Sequence, residues 1–368
     1  MDKNKCNEKL NEYRVEIDKL DNEILKLLNE RAKIAIKVGE TKKECGLPIF
    51  NPKREEEIFN RLKKLNEEYG NVFPSDAIKH VFKEIISACR SLESDIKVAY
   101  LGPPATFTHQ AAITYFGQSV NFLPVSTIKD VFDEIERGNA KYGVVPIENS
   151  IEGAVNHTLE MLTNTPLKII GEVIVEINLH LIGQTTDLKN IKKIYSHKHA
   201  LGESREWIQK NLPNVITEEV ESTARAAELA KEDFEAAAIA SEAAAELYGL
   251  KIIARKIDRF PFNQTRFLII AKEEDNVKQL PKHSKTTFIF SVKNEVGALY
   301  KTLGILNKYG INMTKIESRP SKQEAWDYIF FVDIEGHIQD ENVRKALKEI
   351  EEKSPFFKIL GSYPKYTK

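Results

Sequence analysis

Cations spaced along one uninterrupted helical segment are the first residues whose type and placement suggest chemistry. Residues 7–44 contain no proline, and Gly39 is the single glycine before Gly46. Apolar side chains return every seven positions, at Leu10, Ile17, Ile24 and Val38 and again at Tyr13, Leu20, Leu27 and Ile34. These are the seam positions of a coiled-coil-like helix. Arg31 falls on the seam, where an unpaired guanidinium is costly to bury. Lys42 lies about 20° around the same face and about 16 Å further along the axis. Two long cationic side chains so placed can hold one small anion. Arg14 is about 25 Å from Arg31 along the helix, too far to serve the same ligand, so a shared role requires a partner chain. Charges beside such seams are often merely solvated or interhelical; for Arg14 and Lys42 the spacing alone leaves that open. Arg54 and Glu55 open the second helical segment.

The elements that must carry these residues follow from pattern. Helices are expected near 52–69 and 75–94, separated by GNVFP. Three helices of this shape cannot wrap the long one, so an intertwined helical dimer is expected for residues 1–94. From Ile96 the pattern becomes strands alternating with helices: KVAYLG, VNFLPV, YGVVPI, KIIGEVIVEINLHLIG, KKIYS, NVITEEV, AAAIA, KIIARKI and FLIIA. Residues 96–272 therefore read as a two-lobed α/β domain with a central cleft. Several strands end in Ser or Thr and feed a helix, as in GPPATFTHQAA, ENSIEGAVNHTLEML, SHKHALGESREW and ESTARAAELA. Such junctions form anion-binding crevices in open α/β sheets, and they are also ordinary helix starts. Thr265 and Arg266 in FPFNQTRFLIIA precede a fully apolar strand. EEDNVKQLPKHSK reads as a linker. Residues 285–364 have the βαββαβ order of a ferredoxin-like module.

Composition narrows the classes. The 368 residues carry a formal net charge of -1, with 42% hydrophobic and 30% charged residues. A folded multidomain protein is expected, and no basic excess argues for a nucleic-acid partner. No apolar run has the length of a membrane span, and the polar N-terminus is unlike a signal peptide. Cys6, Cys45 and Cys89 have neither metal-ligand spacing nor disulfide pairing numbers, so a reducing cytoplasmic setting is expected. No metal or cofactor is called for.

RVEIDKLDNEILKLLNERAKIAIKVGETK, NPKRE and EIISACRSLE resemble the all-helical chorismate mutases. The resemblance implies an intertwined dimer whose pocket takes Arg14 from the partner and Arg31 and Lys42 from its own chain. It also implies that Arg54 and Glu55 belong to the pocket, with Glu55 at the substrate hydroxyl. Asn51, Cys89 and Glu93 stand where members often have Asp, Ser and Gln. A carboxylate facing the ether oxygen would repel charge developing there, so Glu93 would help only when protonated.

GPPATFTHQAA, PIENSIEG, AAIASEAAAELYGL and NQTRF resemble the prephenate dehydratases. Thr265 then lies nearest the departing hydroxyl, Arg266 becomes a candidate for a substrate carboxylate, and Asn149, Ser196 and Glu221 match other cleft positions. Glu203 replaces a common Gln, and Ala105 a common Gly. NEVGALYKTLGIL and KIESRP resemble the amino-acid-binding ACT module, which implies a phenylalanine effector at Gly297, Ala298 and Leu299 and at Glu317, Ser318, Arg319 and Pro320. The whole resembles a bifunctional enzyme acting on chorismate and prephenate. Two other readings stay open: a ligand sensor without catalysis, and a dehydratase whose helical region only dimerises.

Overall fold

The computed structural model describes residues 3–47, 52–94, 96–260, 262–272, 283–320 and 328–366. The chain divides into two compact units. The first comprises Met1–Ile96 with Phe116–Val120, and the second the remainder.

The first unit contains α1 (Lys3–Glu44), α2 (Pro52–Glu68) and α3 (Ser75–Glu93). At 42 residues, α1 is about 63 Å long. It packs on α3 through a close approach at Gly39, where a Cβ would sit 2.8 Å from Glu93 Cα. Much of its seam is open: Leu20 is 58% and Leu27 62% exposed. α3 buries Ile78, Ile86, Ser87, Cys89 and Arg90. Among the described residues, no helix is long and apolar enough to cross a membrane.

The second unit begins with β1 (Lys97–Leu101), α4 (Phe107–Phe116), β2 (Asn121–Val125), α5 (Ile128–Glu136), β3 (Tyr142–Asn149), β4 (Gly153–Ala154), α6 (Asn156–Asn164) and β5 (Lys168–Glu176). A second lobe holds β6 (His180–Gly183), β7 (Lys193–Ser196), α7 (Lys198–Glu203), α8 (Arg205–Asn211), β8 (Ile216–Glu219), α9 (Thr223–Glu232), β9 (Ala236–Ala240), α10 (Glu242–Tyr248) and β10 (Lys251–Ala254). β11 (Gln264–Ala271) then returns to the first lobe, whose sheet order is β2-β1-β3-β11-β5 with β4 beside β3. The second sheet runs β10-β6-β9-β7-β8. The apolar stretch 168–183, which reads as one strand, is thus two strands in two sheets. The two chain crossings between lobes hold each other. Ile177 N–H donates to the Asn263 carbonyl at 2.8 Å, and Ile257 N–H to that of Leu179 at 2.9 Å.

The C-terminal module is β12 (Ser284–Ser291), α11 (Ala298–Lys308), β13 (Met313–Pro320), β14 (Tyr328–Glu335), α12 (Glu341–Lys353) and β15 (Phe357–Pro364), with sheet order β13-β14-β12-β15. The linker read from sequence lies mostly outside the described residues, and Ser284 and Lys285 already belong to β12. Strand alternation gives this sheet two apolar faces. Phe288, Phe290, Val332 and Ile334 meet α11 and α12 through Ile305, Leu347 and Ile350. Ile289, Ile329, Phe331, Leu360 and Tyr363 join Leu159, Leu162 and Ile169 of the first lobe in a single core. Gly361 lies so close that a Cβ there would strike the Ile169 carbonyl oxygen. Lys358 Nζ donates to the carbonyls of Leu162, Thr163 and Thr165, at the end of α6 where unpaired carbonyls gather negative charge.

Candidate functional site

In the helical unit, α1 and α3 bring Lys42 and Glu93 together, with Nζ 2.9 Å from Oε2. Glu55, from the first turn of α2, forms a buried ion pair with Arg90. Arg90 Nη1 also donates to the Phe116 carbonyl at 3.2 Å. Burial raises the Glu55 pKa, opposed by Arg90, Lys83 and Lys42. Burial lowers that of Lys83, opposed by Glu55. One cluster of opposed charges therefore gathers residues far apart in sequence. Arg31 is half-buried. Arg14 is exposed and donates to Asn11 Oδ1 at 3.3 Å, and Arg54 pairs with Glu57 at 3.2 Å on the surface. Cys89 is buried on α3. Asn51 lies outside the described residues. Arg90 and Lys83 escape the sequence reading, although a cation on the buried face of EIISACR was a visible signal.

In the cleft, a directional hydrogen-bond chain runs along the lobe crossing. Asn149, at the end of β3, accepts from the backbone N–H groups of Ile151 and Glu152 at 2.8 and 3.0 Å. Its Oδ1 is thereby occupied, so its amide nitrogen faces the other way. That nitrogen donates to Asn263 Oδ1 at 2.8 Å and to Thr265 Oγ1 at 3.0 Å. Asn263 Nδ2 in turn donates to Glu203 Oε2 at 2.8 Å. Thr265 Oγ is therefore an acceptor toward Asn149, and its own proton remains for a third group.

Glu203 has a pKa pushed up to about 7, first by burial and then by the carboxylates of Glu152 and Asp258, against the Asn263 bond. Glu152 itself pairs with His199, whose ring stacks on His197. Asn263, Glu152 and Asp258 were not singled out from sequence; Asn263 stood inside NQTRF. Among the described residues there is no metal-binding cluster.

Three cleft expectations come out differently or only in part. Against the expectation of a substrate carboxylate, Arg266 faces the C-terminal module. Its Nε donates to Glu172 at 2.7 Å, Nη1 to Asp333 at 2.6 Å and Nη2 to the Tyr363 hydroxyl at 3.0 Å. The reason is strand alternation: Arg266, Leu268 and Ile270 face α6 and the module, and Thr265 faces away. Burial opposes the Arg266 charge, but Tyr363, Asp333 and Glu172 more than restore it. Ser196 is fully buried and donates to the Ile239 carbonyl at 2.6 Å. It ties β7 to β9 and leaves no exposed hydroxyl for a ligand. Glu221 is exposed and lines an open cavity of about 490 Å³ with His197, Lys198, Glu219, Val220 and Arg225.

In the module, Gly297 has φ 77° and precedes α11, a left-handed conformation that favours glycine. Ala298 and Leu299 are half-buried. Glu317, Ser318, Arg319 and Pro320 end β13, the edge strand, with Glu317 and Arg319 half-buried and Ser318 and Pro320 exposed.

Comparison with known proteins agrees in order along the chain. Family models match residues 13–94 (chorismate mutase type II), 98–275 (prephenate dehydratase) and 286–352 (ACT domain). The bifunctional chorismate mutase/prephenate dehydratase of Aquifex aeolicus is 56% identical, with 97% of this chain and 98% of the relative covered. That of Stutzerimonas stutzeri is 41% identical at the same coverages, 97% and 98%. A solved prephenate dehydratase from Arthrobacter aurescens, in complex with L-Phe, has TM-score 0.67 and 33% identity, covering 73% of this chain and 90% of that one.

Proposed function

The chain belongs to the bifunctional chorismate mutase/prephenate dehydratase family, and on that premise we propose how its residues divide the work. It rearranges chorismate to prephenate, then converts prephenate to phenylpyruvate with loss of carbon dioxide and the ring hydroxyl, under feedback by phenylalanine.

The first step needs no nucleophile. A dianion must be held in a compact conformer while charge grows on its ether oxygen. Arg31 and a partner chain's Arg14 bind the carboxylates, with Asn51, Arg54 and Cys89 lining the pocket. Glu55, anchored by Arg90, takes the substrate hydroxyl. Lys42 donates to the ether oxygen, and Glu93, whose carboxyl lies 2.9 Å from the Lys42 ammonium, stands beside it. The open seam of α1 supports a homodimer in which Arg14 crosses over.

The second step expels hydroxide, which leaves as water once protonated. Thr265 hydrogen-bonds the departing oxygen through its own O–H and keeps that proton, solvent water protonating the released hydroxide; Asn149 fixes the orientation of the hydroxyl, and Glu203 in protonated form keeps negative charge away. Lys198 and Arg225, beside Glu221 in the open cavity, suit the substrate carboxylates. Phenylalanine is placed in the ferredoxin-like module. There the N–H groups opening α11 at Gly297–Leu299 and the strand end Glu317–Pro320 receive its charged ends. No cofactor takes part.

The observation that carries the dehydratase assignment is the Asn149 amide donating to Thr265 Oγ1 at 3.0 Å. Thr265→Ala should abolish phenylpyruvate formation and leave chorismate consumption nearly intact, and Thr265→Ser should retain part of the former. Equal loss of both activities in Thr265→Ala contradicts the division.

A further inference from the structure

We propose that Arg266 is a positioning residue that locks the catalytic Thr265 to the C-terminal module, so that the module's state is read at the cleft through one guanidinium. Thr265 and Arg266 are consecutive on β11, so a shift of the Arg266 backbone moves Thr265. All three guanidinium nitrogens of Arg266 are engaged, and two of the acceptors, Asp333 and Tyr363, belong to the module. The third, Glu172, is itself held by the module, from Lys285 Nζ at 2.8 Å and the Tyr366 N–H at 3.1 Å. Thr287 joins Asp333 to Tyr363, with its hydroxyl 2.6 Å from each. The set is buried, so each donor and acceptor is costly to leave unmatched.

The same set reaches the edge strand. Lys315 on β13 pairs with Glu148 at 2.7 Å, and Glu148 stands opposite Arg266 in the β3–β11 ladder. Lys315 also stands opposite Asp333, and Glu317 opposite Phe331, in the β13–β14 ladder. A ligand that draws on the end of β13 therefore pulls on the strand carrying Asp333. A differential preference of that ligand for one arrangement of the set is all that coupling requires. This rests on the effector reading of the module for its inhibition arm only.

The test uses full-length Arg266→Lys, Asp333→Asn, Tyr363→Phe and the Arg266→Lys/Asp333→Asn double variant, with mutase activity as a control for folding. Prephenate turnover is measured with and without L-phenylalanine. Arg266→Lys should lower kcat about tenfold with KM within twofold, as for an interaction that places a catalytic group and touches no substrate. Asp333→Asn and Tyr363→Phe should raise the half-inhibiting phenylalanine concentration about tenfold, which corresponds to about 1.4 kcal/mol of coupling. The double variant should be no worse than Arg266→Lys. A tenfold rise in KM for Arg266→Lys would make it a substrate ligand and overturn the proposal. Unchanged inhibition in both module variants would overturn it too. Absence of inhibition in the parent would sink the effector reading instead, and the kcat–KM split would still decide the role of Arg266.

Discussion

Replacing Glu203 by Gln tests the cleft electrostatics directly. The carboxyl accepts a hydrogen bond from Asn263 at 2.8 Å, and a Gln side-chain oxygen can accept the same bond. What changes is the charge. With a pKa raised from 4.5 to about 7, the folded protein holds the proton through a window in which the unfolded chain has released it. The associated stability is fully present below about pH 4.5, declines as pH rises, and is lost above about pH 7. At face value the rise corresponds to about 3 kcal/mol. The side chain is only partly buried, and solvent screening reduces this to about 1–2 kcal/mol. Between pH 5 and pH 8 the parent should lose that much more stability than Glu203→Gln. Amide exchange in α7 and α8 is the suitable readout, since a chain of two compact units need not unfold in one transition. In the dehydratase assay the parent should lose activity as pH rises through about 7, because the carboxylate then faces the departing hydroxide. The variant should show a flatter profile. Equal pH slopes in the two proteins, in both measurements, would refute the argument that Glu203 carries a titrating proton at the cleft.

Other substitutions probe the helical unit. Gly39→Ala should destabilise it by about 1–3 kcal/mol and depress mutase kcat, because the added carbon displaces Glu93 at 2.8 Å; urea titration and chorismate consumption measure both. Glu93→Gln, which replaces a carboxylate beside Lys42 by an amide donor, should raise chorismate turnover and leave dehydratase turnover unmoved. Leu20→Lys together with Leu27→Lys should dissociate the proposed dimer in sedimentation and abolish mutase turnover, leaving dehydratase turnover in place.

Much of this was readable from pattern, and the failures are specific. The proline-free stretch and its seven-residue repeat announce α1, because helix periodicity is local. The ends of β3 and β11 announce Asn149 and Thr265 by motif. The contacts of Arg266 with Glu172, Asp333 and Tyr363 were not anticipated from NQTRF, although a period of two already puts Thr265 and Arg266 on opposite faces. The two-strand nature of 168–183 was invisible, since membership of a sheet is decided by partners far away in the chain. For the same reason the Arg90–Glu55 pair and the Glu203–Asn263 contact could not be seen: each joins residues whose proximity exists only after folding. Ser196 sits at a strand end like the other junction hydroxyls, and only burial shows that it serves the sheet.

The apolar seam beneath the C-terminal module has a practical meaning for anyone seeking an enzyme freed from its end product. Ile289, Phe331, Leu360 and Tyr363 fill the same core as Leu159, Leu162 and Ile169, and Lys358 closes the end of α6. Cutting the chain after Lys272 would strip the catalytic lobe of one wall and leave oily surface in water, so the expected product is aggregate and not a deregulated catalyst. Release from inhibition must come through single exchanges that keep the wall standing. A lineage that lost the module would have to rebuild that face first.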